Sequence, residues 1–346
     1  MNQMVLREKI LGKTGLKVKI LGFGGIPIQR ISEKEAVRVV RRCYELGINY
    51  YDTAIGYTVS EERIGKALKD VRENVVIATK THAETKEEVF KDLETSLNHL
   101  QTDYVDIYQL HGVSSKESWK RISGGGGALE AFYEAKDQGR IRHIGITSHN
   151  TDVLKEIVEE DIFETILVQL NYLAPEPLLE LLPLWKKMNV GTVIMKPFAG
   201  GALSDASTAL KFLLAKDNVD IVIPGMQSLE EVEKNVAVSA GTYLLTPDEE
   251  QLIKKDLKEL GGQFCRGCDY CQPCPQGIPI SSVLRSESTV KRMGLSSRTR
   301  KSLEEGLEKA NSCAECGICE ERCPYDLPIR ELLRTKRRYI TELLEK

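Results

Sequence analysis

No stretch of this 346-residue chain is apolar over the length a membrane-crossing helix needs, which is roughly 20 residues. An excess of one charge is missing too. The net charge is −3, which gives no reason to expect a nucleic-acid partner. Met1–Ile10 lacks the pattern of a signal peptide, so a soluble, cytoplasmic protein is expected. Cysteine is nearly absent from the first 264 residues, where Cys43 stands alone. Cys43 falls on a helix-patterned stretch and reads as a core thiol.

The other eight cysteines are crowded into two runs. The first is Cys265-x2-Cys268-x2-Cys271-x2-Cys274-Pro275, and the second is Cys313-x2-Cys316-x2-Cys319-x3-Cys323-Pro324. The second has the ligand spacing of bacterial ferredoxins, in which three thiolates hold one iron–sulfur cube and the fourth serves the other. The first has two residues rather than three before its Cys-Pro. Crossed in that way, Cys265, Cys268, Cys271 and Cys323 would hold one [4Fe–4S] cluster. Cys313, Cys316, Cys319 and Cys274 would hold the second. Zinc fits less well, because it takes paired knuckles separated by a longer loop. Disulfides fit worst, since so dense a set in a long chain without a leader points to metal.

The tail from Gly261 to Lys346 carries 15 Lys and Arg against 12 Asp and Glu. Its basic residues can offset the negative charge of thiolate-bound clusters. Arg334, Lys336, Arg337 and Arg338 read as a solvated helix end, or as a surface for an acidic electron carrier.

The first 240 residues repeat a short apolar strand, a turn and an amphipathic helix. Strands are predicted at Ile20–Gly24, Ile48–Asp52, Val75–Thr79, Tyr104–Leu110, Arg142–Ile146, Thr165–Leu170, Thr192–Met195 and Asp220–Ile223. Helical patterns fall at Glu33–Leu46, Lys86–Leu100, Glu130–Gln138, Leu178–Met188 and Leu229–Val238. Apolar rather than alternating strands predict a parallel α/β fold, a (β/α)8 TIM barrel. Val5–Val18 reads as a hairpin plugging its bottom, with Lys13-Thr14-Gly15 as the turn. Gly261-Gly262 divides this barrel, residues 1–260, from a mostly helical, ferredoxin-like domain, residues 261–346. The stretch Gly112–Gly127 is long for a connection, and its Ser123–Gly127 run reads as a hinge, a ligand approach or a linker.

Chemistry in such barrels collects at the C-terminal strand ends. Three consecutive predicted strands end in ionisable groups, Asp52, Lys80 and His111, and Tyr57 follows Asp52 by five residues. A phenol is a poor acid at neutral pH. A lysine ammonium beside it favours the phenolate, and a carboxylate keeps that lysine charged and aimed. A neutral His111 can orient a carbonyl oxygen. Together these residues suit protonation of a carbonyl oxygen while hydride reaches its carbon.

At these residues the chain resembles the aldo/keto reductases, from Leu6 to Ala240. Asn49-Tyr50-Tyr51-Asp52-Thr53-Ala54 with Tyr57, the Thr79-Lys80 strand end and Leu110-His111 look like that family's Asp–Tyr–Lys–His tetrad. The tail resembles the helical ferredoxin domain of one branch. The resemblance implies NAD(P)H across the barrel mouth, with cofactor contacts from Gly24, Gly25, Thr147, Ser148, Gln169, Gly225, Met226, Gln227 and Asn235. Thr147-Ser148 stands where the family has Ser-Asn, and Met195 where it often has an aromatic. Gly225 and Glu231 occupy positions that carry a lysine and an arginine in NADPH-preferring members, so no strong NADPH preference is expected. A flavin is a further candidate, because it couples hydride chemistry to single electrons and barrels bind flavin phosphate near Gly200-Gly201 and Gly225.

The expected function is an iron–sulfur oxidoreductase that interconverts a small carbonyl compound and its alcohol. Its clusters would link the site to an external carrier such as a ferredoxin. The alternatives are a redox or oxygen sensor that holds a cofactor, and a reductase whose clusters only staple the tail.

Overall fold

The computed structural model describes residues 5–345. Part of the leader expectation, Met1–Met4, lies outside the described residues. Two compact units emerge, residues 1–198 with 205–245, and residues 246–346 with 199–204. The sequence places the division at Gly261, later than this boundary. The capped helix Pro247–Leu260 has no fully buried residue, so its pattern does not reveal which core it leans on.

In the first unit, β1 (Glu8–Ile10) and β2 (Lys17–Lys19) form an antiparallel hairpin. Eight parallel strands follow in one sheet: β3 (Phe23–Gly24), β4 (Tyr50–Asp52), β5 (Val76–Thr81), β6 (Val105–Leu110), β7 (Ile141–Ser148), β8 (Thr165–Gln169), β9 (Gly191–Met195) and β10 (Ile221–Ile223). Their order in the sheet is their order in the chain. Parallel bridges Leu21 to Val222 and Gly24 to Gly225 bring the two edges together. Each predicted strand is present, and β3 shrinks to two residues because Leu21 pairs only as an isolated bridge.

The barrel interior is filled at its base by the hairpin. Leu11 and Val18 are fully buried beside Tyr50, Ile107, Val193 and Ile221. Lys9 Nζ donates to the carbonyls of Asp217 and Val219, at the entrance to β10. Gly12, at φ +49°, approaches so closely that a Cβ there would meet the Gly191 nitrogen at 2.2 Å.

The helices form the outer layer by burying one stripe each. Glu33–Glu45 buries Ala36, Val39, Val40 and Cys43, a helical spacing, and starts in a capping box between Ser32 and Glu35. Cys43 is thus a core thiol, and burial pushes its pKa up. The long Gly112–Gly127 connection contains a helix, Lys116–Ser123, capped by Ser115. Gly127 lets the next helix follow closely, since a Cβ there would lie 2.4 Å from two carbonyl oxygens.

The second unit is helical, with segments Ile280–Leu284, Ser286–Met293, Ser297–Asn311, Ile318–Glu321 and Ile329–Leu344 besides Pro247–Leu260. It contains a structural repeat. Cys274-Pro275 and Cys323-Pro324 each open a turn closed five residues on by Pro279-Ile280 and Pro328-Ile329, where a helix starts. Gly277 and Asp326 both take left-handed backbone, at φ +65° and +50°. Their N–H groups donate back to the Cys274 and Cys323 carbonyls. Ile280, Val283, Ile329 and Leu333 from the paired helices share one core. Arg334 and Lys336 are ion-paired to Glu315 and Glu287. No described helix is long and apolar enough to cross a membrane.

Candidate active site

Adjacent strands β4, β5 and β6 bring together the tetrad expected from the sequence. Asp52 ends β4, Lys80 is the penultimate residue of β5, and His111 follows β6. Lys80 is only 1% exposed and Asp52 3%, so both charges sit inside protein. Lys80 Nζ donates to Asp52 Oδ1 at 2.6 Å and to the Thr53 carbonyl. Gln109, opposite Lys80 in the sheet, donates from Nε2 to Asp52 Oδ2 at 3.2 Å.

Tyr57 stands over this pair on a turn in which its N–H reaches the Ala54 carbonyl. Its ring centroid is 5.0 Å from Lys80 Nζ and 5.8 Å from the His111 ring, edge to face. Burial works against the Lys80 ammonium, but Asp52 and Tyr57 outweigh it and raise its pKa. Burial raises Asp52 against the opposing pull of Lys80 and Gln109. The pair is best described as ionised, because each charge answers the other at hydrogen-bonding distance. Burial, then the charges of Lys80, His82 and Lys196, push His111 well below the usual histidine value. His111 is a neutral imidazole at pH 7.

Several mouth residues were not singled out from sequence. His82 stacks on His111 with centroids 4.0 Å apart. His149 and Lys196 follow β7 and β9. Each comes just after a strand end, the one signal that could have found them. Arg30 carried no such signal, because closure of the sheet is what brings it to Gln227.

The residues expected to hold the cofactor divide by what they already do. Thr147 Oγ1 accepts from the Gly112 N–H at 2.9 Å, and Ser148 Oγ from the Asn150 N–H at 2.9 Å. Both hydroxyls keep a proton to donate. Gln169 ends β8 on the same arc, 8% exposed. Gly24 and Gly25 donate to the carbonyls of Pro224 and Asp52. Gly225 faces Pro27, whose Cγ would be 2.6 Å from a Cβ. The Met226 side chain is buried in the core, and Asn235 is 3% exposed on the helix Leu229–Ser239. The Gln227 N–H donates to Glu231 Oε2 at 2.7 Å, and Gln227 Oε1 accepts from Arg30 at 2.7 Å.

In the second unit, Cys274, Cys313, Cys316 and Cys319 line one pocket together with Cys271 and Arg330. Cys268 lies close enough to Cys265 to raise its pKa, Cys265 and Cys268 both raise that of Cys271, and Cys323 raises that of Cys268. Cys271 therefore belongs to both groupings, lining the cavity of the second run and lying beside Cys265 and Cys268. Burial pushes Cys265 up to about 11 and Cys271 up to about 12. A bare pocket of this kind keeps its thiols protonated, and a cationic centre is what makes thiolates stable there. All nine cysteines are free. Among the described residues no three His, Cys, Asp or Glu side chains converge as one metal ion would require. The crowded sulfurs suit iron–sulfur ligation, with Arg285 beside Cys265 and Arg330 lining the cavity of the second run.

A model of the aldo/keto reductase family matches residues 20–208, and one of the 4Fe-4S dicluster domain matches residues 264–328. The chain is 31% identical to L-galactose dehydrogenase of Arabidopsis thaliana, over 70% of this chain and 91% of that protein. It is 26% identical to an uncharacterized oxidoreductase of Bacillus subtilis, over 73% and 97%. Among solved structures, the holo form of an aldo-keto reductase from Bacillus halodurans superposes with a TM-score of 0.64. It is 31% identical and covers 72% of this chain and 96% of its own.

The neutral His111 has a measurable consequence. Its folded pKa is depressed, so below the ordinary value of about 6.5 the unfolded chain binds a proton that the folded barrel refuses. Stability from this group is present above that pH and lost as pH falls. Urea unfolding between pH 7.5 and 5 should show that loss, and His111→Gln should flatten it. An unchanged pH slope in the variant would mean that His111 titrates normally.

Proposed function

The chain belongs to the aldo/keto reductase family, as an oxidoreductase with a 4Fe-4S dicluster domain, and we propose that it interconverts a small carbonyl compound and its alcohol. The observation that carries this is the buried Lys80 between the Asp52 carboxylate and the Tyr57 phenol. A nicotinamide, when bound, supplies or accepts the hydride. Tyr57 gives its hydroxyl proton to the carbonyl oxygen, and Lys80 holds the phenolate that remains. Asp52 keeps Lys80 charged and in place. His111, neutral and edge-on to Tyr57, hydrogen-bonds the substrate oxygen and sets the angle at which the proton arrives. In the alcohol-oxidising direction the same groups act in reverse.

The nicotinamide carboxamide is assigned to Thr147, Ser148 and Gln169, whose polar groups share the arc beyond His111. The nucleotide end is assigned to Gly225–Gln227 and the helix that follows. Glu231 already occupies the Gln227 N–H, and Pro27 fills the space a side chain at residue 225 would need. A 2′-phosphate would face that carboxylate, so no strong preference for NADPH follows. Arg30, beside Gln227, supplies the compensating cation. A flavin has no residue here that calls for it.

The dicluster domain is assigned two [4Fe–4S] clusters, with ligand sets Cys265, Cys268, Cys271, Cys323 and Cys274, Cys313, Cys316, Cys319. They would pass single electrons to or from an external carrier such as a ferredoxin.

Three measurements test this. Tyr57→Phe should lower kcat by roughly 10²–10⁴-fold, with iron content and NADH affinity unchanged; full activity would remove Tyr57 from the chemistry. NADPH should bind within about tenfold of NADH, a margin of about 1.4 kcal/mol, and Glu231→Arg should shift the ratio toward NADPH. Tenfold tighter NADPH binding by the natural chain would end the nucleotide assignment. Cys323→Ser and Cys268→Ser should each leave about four irons of about eight. The double variant should still keep about four. A double variant with no iron would show that the two cysteines serve different clusters.

A further inference from the structure

His82 and His111 extend the pairing of two neighbouring strands by one residue. Thr81 of β5 lies opposite Leu110 of β6, and the His111 N–H donates to the Thr81 carbonyl at 2.8 Å. Each histidine is the next residue on its strand. Side chains return to the same face of a strand at every second residue, which puts His82 with Lys80 and His111 with Gln109. Lys80 and Gln109 form the lower layer, around the buried Asp52 carboxylate. His82 and His111 form the layer above it, at the mouth.

The two imidazoles are stacked, with centroids 4.0 Å apart and planes 13° from parallel. His111 also meets Tyr57 edge to face, at 5.8 Å and 80°. Backbone brackets the His82 ring. A Cβ at Gly56, beside Tyr57, would lie 3.9 Å from its Cδ2, and one at Gly112, beside His111, 3.8 Å from its Cε1. A histidine in a reaction site is ordinarily aimed by a hydrogen bond at its second nitrogen. His111 lacks that anchor, because its Nδ1 is buried with no hydrogen-bond partner. Rotation about the last side-chain bond of an imidazole is soft, so ring contacts have to set its plane. Orphaned buried N–H groups are rarer than orphaned acceptors, which leaves Nδ1 bare and puts the proton on Nε2.

We propose that His82 is a positioning residue for carbonyl reduction: stacked on His111, it holds that ring edge-on to Tyr57 with its Nε2–H toward the substrate oxygen. This rests on the assignment of Tyr57, Lys80, Asp52 and His111 as the reducing site. The stack replaces the missing hydrogen bond. It confines the plane of the imidazole while leaving both nitrogens out of the contact, so Nε2–H stays available to donate. A carboxylate at Nδ1 would also aim the ring, but it would favour the charged form. Face-to-face contact aims His111 and keeps it neutral. Burial and Lys80 act first in that direction, and His82 adds to them. Misplacing a group at the reacting centre by about 1 Å can cost roughly a hundredfold in rate, which is what the stack guards against.

The test uses anaerobically prepared, cluster-containing protein with its five histidines labelled with nitrogen-15. The His111 signals are identified by their loss in His111→Gln. Wild type should show a single His111 tautomer, with Nε2 protonated and Nδ1 bare. His82→Gln, which removes the ring, should shift both nitrogens toward the average of two exchanging tautomers. His82→Phe, which keeps a flat ring and drops the imidazole charge, should retain the wild-type pattern. With methylglyoxal as the carbonyl probe and NADH as reductant, kcat should fall roughly tenfold to hundredfold in His82→Gln. It should recover to within about threefold in His82→Phe, with KM for NADH within about twofold in both variants. Wild-type His111 signals in His82→Gln would overturn the proposal. So would an equal loss in the two variants, since the charge or hydrogen bonding of His82 would then matter rather than its ring. His82 is exposed, so neither substitution opens the core. The nitrogen signals are read without turnover, so their failure is separate from a failure of Tyr57→Phe to lose activity.

Discussion

A lysine charge buried inside the barrel is the constraint on which the site depends. Removing Lys80 and Asp52 from water costs several kcal/mol per ion, and the cost is met only when geometry and hydrogen bonding are complete. They are complete here. The ammonium has Asp52, the Thr53 carbonyl and the Tyr57 phenol around it, and the second carboxylate oxygen has Gln109. Three strands must hold register for this to work, since Gln109 reaches Asp52 only because it lies opposite Lys80. The hairpin at the base, the outer helices and the closed sheet serve that register. A pair that merely stabilised the fold would gain nothing from a phenol at its open end. The phenol makes a costly burial useful.

The second unit solves a related problem with sulfur. Thiols crowded in a protein interior resist ionisation, and the values reached at Cys265 and Cys271 express that resistance. A cluster reverses it by placing iron among them. The repeat of Cys-Pro turn and Pro-capped helix explains how two such sites arise together. In the proposed ligand sets each run would wrap three sulfurs on its own side, and its Cys-Pro turn would deliver the fourth toward the other run. Cys274 lines the cavity of the second run, and Cys323 acts on Cys268 of the first. The two sets differ in cover: Cys316 is exposed, whereas Cys271 and Cys323 are buried. A cluster with an exposed ligand sits in a more polar surrounding than one without, so their potentials should differ.

The tetrad was legible because its residues occupy strand ends, and strands of this kind announce themselves as apolar runs. Cysteine spacing was legible for a similar reason, since ligation is local in sequence. Residues that act through closure were not. Arg30 meets Gln227 only because β3 and β10 adjoin, and nothing around Arg30 in the chain signals that. The Gly112–Gly127 stretch hid a helix because its five-residue Ser-Gly run dominates its composition. Gly25 and Gly225 stand out in the sequence as ligand-facing, and both also lie in close contact with protein, Ser60 and Pro27. A glycine records that something comes close, without saying whether it is ligand or protein.

Order along the sheet equals order along the chain, so the rim divides into arcs with separate tasks. In the proposed mechanism the ends of β4 to β6 carry the proton chemistry. The ends of β7 to β9 carry Thr147, Ser148, Gln169 and the Lys196–His149 pair, and β10 with β3 carries Gln227, Glu231 and Arg30. Charge follows the same division. The proton arc keeps its one carboxylate buried and neutralised, and the middle arc presents a lysine. The arc proposed for the nucleotide has Glu231 on the Gln227 N–H and Arg30 on the Gln227 side chain. A phosphate arriving there must displace a carboxylate from the Gln227 N–H.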